Sequence, residues 1–316
     1  MAITAATLRS DFDAKFLPPE QSAPIFEHAA RISVAQRLAT QVPLSLNGKA
    51  IPVVTGKLSA GWVDEGAQKP ASTGTIGLKT LTPKKIATIA VVSEEVVRSD
   101  PAGYMGLIKG QVAEAFASAF DAAAFHGTST PFSTYLDQTS KAVEIGSHTT
   151  AQGGVYKDVV DSLSLLVADG KRLTGFALDN VLEPVLLGQV DTTGRPIFID
   201  IPLDATTAAQ FDNSVAQPAQ PGKLIGRPSW MSDGVATSNL TSVVGYAGDW
   251  TQAAWGVVGG ISYKVSTEAT VTINGSLVSL FEHNLVAILM EAEYGWLVND
   301  TAAFVKLTNS IATASA

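Results

Sequence analysis

The run DPAGYMGLIKGQVAEAFASAFDAAAFHG, residues 100–127, decides how the rest of the chain is read. Asp100 offers a side-chain oxygen to the unpaired amides of a first helical turn, and Pro101 is pre-set for the first helical position. Met105, Ile108, Val112, Phe116, Phe120 and Ala123 recur at three or four residues, and Gly127 after His126 is a natural stop. The spacing predicts a helix over 101–126, a rod of about 39 Å, which is long for a globular domain. Its alanines at 113, 115, 117, 119, 122, 123 and 124 leave room for a sheet to pack closely against it.

Upstream, Lys85 to Ser93 is a strand by its β-branched content and length. Before it, from Gly48 to Pro83, Gly, Ser, Thr and Lys surround β-type runs such as Ala50 to Thr55 and Thr73 to Leu78. That composition predicts a long hairpin with too few apolar residues to stand alone, because an isolated two-stranded ribbon is marginal in water. Residues 1–45, punctuated by Pro18, Pro19, Pro24 and Pro43, read as an arm with little core of its own. Downstream, Val155 to Asp169 forms an amphipathic helix closed by Gly170, and Gly175 to Leu178 starts a strand. A second helix over 180–189 tolerates Pro184 in its first turn if Asp179 or Asn180 caps it. After Trp250 the chain returns to strands at 254–258, 261–265 and 269–273, and in the run 277–298.

With 316 residues, 46% of them apolar, the chain has ample material for a core, and with no Cys it is not a disulfide scaffold. Only 16% of the residues are charged, against about 25% in an ordinary soluble domain. An under-charged surface implies that much of it meets other protein. No apolar run approaches the ~18 residues of a membrane helix, and the opening residues lack a hydrophobic signal core. Residues 1–100 carry 11 basic and 9 acidic groups, and the remainder 10 and 20. An acidic body argues against a nucleic-acid reader, so DNA nearby would be enclosed rather than gripped.

The signatures of common active sites are missing. No two glycines are separated by one residue, which excludes a dinucleotide fingerprint, and no Gly-x-Ser-x-Gly elbow occurs. The four histidines, at 28, 126, 148 and 283, are scattered without a second ligand at helical spacing, so structural or surface roles are expected and neither metal nor cofactor is.

Several segments, taken in order, carry a resemblance. They are Gly61 to Ser72 at the hairpin tip, Thr80 to Ala87 entering the sheet, Ser93 to Asp100 ahead of the long helix, and Ala124 to Gly127 closing it. Gly194 to Phe198, Leu224 to Pro228 and Val244 to Trp250 follow. The arrangement resembles the major capsid protein of tailed bacteriophages, the Hong Kong 97-type fold also used by encapsulin nanocompartments. The resemblance implies an α+β subunit with an N-terminal arm (1–45), an extended hairpin loop (46–85), a peripheral domain with a spine helix (86–145), an axial domain (146–250) and peripheral return strands (251–316). It implies self-assembly into pentamers and hexamers by head-to-tail contacts, an icosahedral virion shell around double-stranded DNA assembled in the host cytoplasm, and no membrane. A hairpin beginning near residue 46 leaves no room for the N-terminal scaffolding segment some relatives carry and cleave. A separate scaffolding protein and no cleavage of this chain are therefore expected, with portal and maturation protease left open. The alternatives are an encapsulin-type compartment shell and, disfavoured by the missing motifs and low charge, a soluble α+β enzyme.

Some members of that family weld their shell by an isopeptide bond between a hairpin Lys and an Asn of a neighbouring subunit, with a Glu as base. The matching positions are Lys69 before Pro70, Asn284 in Phe281-Glu282-His283-Asn284, and Glu291 in Leu289-Met290-Glu291. The amine must be uncharged to attack, whereas a solvated Lys is protonated near neutrality. Burial disfavours the ammonium and a carboxylate can take its proton. In a regular strand, positions 284 and 291 fall on opposite faces, which suits a site shared among subunits. The competing roles are a hairpin salt bridge for Lys69, a backbone-bonded sheet position for Asn284 and an interface charge for Glu291.

Overall fold

The computed structural model describes residues 33–56, 58–66, 68–95, 101–149, 152–188, 198–200, 220–236, 243–273 and 275–309. The Asp100 cap, residues 1–32 of the arm and His28 lie outside them. The long helix, α2, follows α1 (Val34–Leu38) and runs Pro101–Phe125. Gly127 supplies the turn at φ +68°. Ile108, Val112, Phe116, Phe120 and Ala123 are buried, as their period requires.

α2 packs on a four-stranded sheet ordered β1 (Thr40–Gln41), β11 (Ala253–Ser266), β14 (Leu285–Val298) and β4 (Lys84–Ser93). β1 is parallel to β11, and the other pairings are antiparallel. Along β14 the even positions from Val286 to Val298 join the core with α2, and the odd ones Leu289, Glu291 and Glu293 take the opposite face. Phe120 anchors the contact, its ring centroid 5.4 Å from Tyr294, 5.8 Å from Trp296 and 6.4 Å from Trp255. Sequence spacing predicted separate strands at 254–258 and 261–265. The structure shows one strand, β11, whose pairing with β14 slips between Val258 and Ser262, where Gly259 takes φ +60°.

The second sheet has seven strands in the order β5 (Ala142–Ile145), β15 (Phe304–Asn309), β10 (Val243–Gly248), β6 (Gly175–Leu178), β9 (Arg227–Met231), β8 (Gln220–Leu224) and β7 (Phe198–Asp200). β5 and β15, from the stretches assigned by sequence to the peripheral segments, thus pair within the sheet of the 146–250 stretch. Helix α3 (Gly154–Ala168) covers this sheet and ends at Gly170 with φ +67°. The helix expected over 180–189 divides into a 3₁₀ turn at Asn180–Leu182, capped by Asp179 accepting from the Val181 amide, and α4 at Glu183–Leu187. Pro184 sits in the first turn of α4.

Two further ribbons flank these sheets, the shorter one packing Val278 with Leu285 and Ala287 of β14. β2 (Lys49–Gly56) and β3 (Thr75–Leu81) form the expected hairpin, and β12 (Thr270–Ile273) with β13 (Ser276–Ser279) a shorter one. Near its base the long hairpin is tied to the body by the Lys79 amine donating to the Asn299 carbonyl. Its outer apolar side chains Ile76 and Leu78 are exposed.

Candidate functional site

Beyond the end of β2, the hairpin closes on itself. The Ser59 amide donates to Ser72 Oγ at 3.2 Å, the Ser72 hydroxyl returns a bond to the Ser59 carbonyl at 3.1 Å, and Gly61 faces Pro70. Glu65 and Gly66 stand at a turn, where Gly66 adopts φ +82°. Lys69 is exposed, and Trp62 is fully exposed at 106% of its reference area. A subunit in isolation has no physical reason to present an indole this way, because a Trp side chain carries a large apolar area.

Glu291 lies on the outward face of the four-stranded sheet, between Ala87 of β4 and Ser262 of β11. Its carboxylate is held by Lys85 Nζ at 3.4 Å, the Ser262 hydroxyl at 3.4 Å and Lys264 Nζ at 4.0 Å. Asn284 is not part of a regular strand, so the opposite-face expectation does not apply to it. It closes a 3₁₀ turn (Phe281–His283) in the left-handed region, φ 48° and ψ 50°, a conformation Asn tolerates better than most residues. β14 begins one residue later. Asn284 is exposed, and its carbonyl accepts from the Glu94 amide at 2.9 Å.

At ~3.3 Å per residue, the strand between these positions separates them by roughly 20 Å. One chain therefore cannot present Asn284 and Glu291 to the same amine. Among the described residues, no hydrogen bond or ion pair joins any two of Lys69, Asn284 and Glu291.

Two polar clusters, the first buried and the second partly buried, escaped the sequence reading. In the first, Asp121 of α2 accepts from Ser33 Oγ at 2.5 Å and from the amides of Val34 at 2.9 Å and Ala35 at 3.3 Å. Burial drives this carboxyl up to about 7, against the pull of those three donors and of His126. The only signal in sequence was a carboxylate on the apolar stripe of α2, one turn from Ala117 and Phe125. The second cluster joins Asp137, His126 and Tyr246. His126 Nδ1 lies 3.2 Å from Asp137, its Nε2 lies 2.9 Å from the Val235 carbonyl, and the Tyr246 hydroxyl donates to Asp137 at 3.0 Å. Burial raises the Asp137 carboxyl, but the hydrogen bonds from His126 and Tyr246 outweigh it and leave the group below its ordinary value. Burial pushes the Tyr246 phenol well up, helped by the Asp137 charge.

Among the described residues, no group of three or more His, Cys, Asp or Glu is arranged to hold a metal ion, and no helix is long and apolar enough to cross a membrane.

Residues 14–309 match the model of the Phage capsid family. The chain is 43% identical over 301 residues to the "probable major capsid protein gp17" of Mycobacterium phage D29, covering 94% of this chain and 91% of that one. It is 44% identical over 307 residues to the protein of the same description from Mycobacterium phage L5, covering 94% and 90%. Among solved structures, a chain from Mycobacterium phage Adephagia superposes with a TM-score of 0.65 at 18% identity, over 88% of this chain and 90% of that one. A chain from the capsid of an empty GTA particle gives 0.62 at 17% identity, over 98% and 94%.

Proposed function

The chain belongs to the phage capsid family, and from that premise we propose that it is the major capsid protein of a tailed-phage head. Copies close into pentamers and hexamers that enclose double-stranded DNA. The observation that carries this is the near end-to-end match, at 43% identity, to a protein described as a major capsid protein. The physics of the subunit agrees. Trp62, Ile76 and Leu78 face solvent on a ribbon that buries little of its own surface, and a shell supplies the cover. A net charge of -8 suits a wall that encloses DNA without binding its sequence. The arm, hairpin, peripheral and axial segments take their places in the shell on the same reading, with a separate scaffolding protein guiding closure.

The finer proposal is that the shell is welded. Lys69 of one copy attacks the side-chain carboxamide carbon of Asn284 in another. The C–N bond to the amide nitrogen breaks, ammonia leaves, and a new amide joins the two chains. Glu291 takes the proton from the attacking nitrogen and returns it to the departing one, so no net proton is consumed. Support comes from the separation of Asn284 and Glu291 along β14, which forces the three groups to be drawn from more than one copy. Lys85 and Lys264 occupy the carboxylate of Glu291, so the arriving hairpin has to displace them.

Expression with scaffolding, followed by electron microscopy and denaturing electrophoresis of boiled particles, tests both levels. Closed heads with a ladder of multimers are expected. A chain that remains monomeric overturns the shell reading, and closed heads that run only at monomer mass overturn the weld alone. Glu291→Gln abolishes the ladder and leaves assembly intact.

A further inference from the structure

The segment from Ser33 to Leu44 is a strap across the joint between the two sheets. Its α1 face buries Val34 and Ala35 in the core, and Leu38 packs where a side chain at Gly175 of β6 would otherwise reach. Arg37 lies 4.8 Å from the ring of Trp230 on β9. Beyond α1, β1 pairs with Ala254 and Trp255, the Val42 amide donates to the Trp255 carbonyl at 2.8 Å, and Leu44 fills the space over Gly256 and Gly295. The strap's first three residues converge on one side chain, the carboxyl of Asp121, which is 88 positions away from Ser33 and 3% exposed.

We propose that Asp121 is a proton-operated latch, holding the strap against α2 while its carboxyl is protonated and loosening it once the carboxyl ionises.

The reason is the environment of the charge. Ionised, the group sits within the core with one hydroxyl and two amides as donors and no cation in contact among the described residues. Burying a charge without a partner is costly. Protonated, it gives its hydrogen to Ser33 Oγ at the same 2.5 Å separation and still accepts the Val34 and Ala35 amides. The ionisable groups around it are few. His126, just past the end of α2, acts on it electrostatically and is itself engaged by Asp137 and Tyr246. From the four-stranded sheet, Tyr294 bonds Gln36 of the strap, and burial lifts its phenol beyond the physiological range. Arg37 turns to Trp230.

The direction follows from linkage. A carboxyl near 4 in the released strap and about 7 in the docked one binds a proton on docking. The contribution is whole below the released value and is lost as pH rises through the docked value. The latch therefore works near neutral pH.

Hydrogen exchange of the purified full chain, as capsomers and as shells, reads the latch at the amides of residues 34–42. Each rate is divided by its intrinsic value at the same pH. Corrected exchange is expected to rise about tenfold per pH unit between pH 5 and 6.5 and to level above about pH 7, with amides of β14 unchanged. Asp121→Asn flattens the profile. His126→Gln retains the slope. A flat wild-type profile overturns the proposal whether or not any variant folds, and so does a slope that survives in Asp121→Asn or vanishes in His126→Gln.

Discussion

The amine of Lys85 lies 3.4 Å from the carboxylate of Glu291, across the β4–β14 pairing and on the face turned away from α2. With Lys264 at 4.0 Å on the other side, the carboxylate oxygens are already engaged by ammonium groups of the same chain. On the proposed weld, an amine arriving from a neighbouring copy has to compete with both. Both guards are largely exposed, so each contact is worth no more than about 1 kcal/mol and is displaceable. Replacing Lys85 and Lys264 by Met is expected to speed the appearance of multimer bands several-fold without changing the final pattern. Time-resolved denaturing gels check this. Unchanged or slower kinetics would show that the lysines do not compete with the substrate amine.

Trp62 separates subunit stability from shell assembly. It touches solvent throughout, whereas Trp250, Trp255 and Trp296 are buried. Trp62→Ala is expected to shift capsomer stability by less than about 0.5 kcal/mol. Interface aromatics carry a large share of binding energy, so the same change should cost about 2 kcal/mol per contact in assembly. Thermal melts of capsomers and the protein concentration at which shells form are the two readouts. In wild type, indole emission should move to shorter wavelength on closure, and Trp62→Phe should remove most of that shift.

The long helix was legible because its evidence is local and redundant: Pro101, a run of apolar residues at three and four, and a glycine that the structure places at φ +68°. The continuity of β11 was not, because Gly259 and Gly260 look like a break, and only pairing with β14 shows that the strand absorbs them as a bulge. The resemblance pointed to Lys69, Asn284 and Glu291 as candidates, but the left-handed turn at Asn284 depends on Phe281 to His283 folding into a 3₁₀ turn. Asp121 was invisible for a stronger reason. Its partners are Ser33, Val34 and Ala35, and no periodicity within α2 encodes a contact across 88 residues.

Two glycines with nearly the same backbone angle make a controlled comparison. Gly170 ends α3 at φ +67° with open space where a methyl group would go. Gly127 ends α2 at φ +68°, but a Cβ there would stand 2.7 Å from the Tyr135 ring. Gly170→Ala is expected to cost about 1 kcal/mol, the left-handed penalty alone. Gly127→Ala carries that penalty plus a collision with an aromatic ring and should exceed about 2 kcal/mol. Denaturant midpoints of capsomers rank the two, and equal losses would mean that Tyr135 moves aside freely.

The cluster at the end of α2 should govern survival in acid. Asp137 has its folded value below the ordinary carboxylate range, so its contribution is present above about pH 4 and is lost as pH falls through the folded value. Asp121 has the opposite sign, contributing most in acid, and so cannot cause acid unfolding. Tyr246→Phe removes the hydroxyl that donates to Asp137 at 3.0 Å and keeps the ring stacked on Phe125, whose centroid is 5.3 Å away. Losing that donor is expected to cost about 1–3 kcal/mol at neutral pH. It also weakens the hold on the ionised form of Asp137, so the acid-unfolding midpoint should move to higher pH. Far-ultraviolet circular dichroism of capsomers titrated from pH 6 to pH 2 reads the midpoint. Coincident wild-type and variant curves would show that the acid transition is set by other carboxylates, such as Asp300, which its Lys171 contact also holds below the ordinary range against burial.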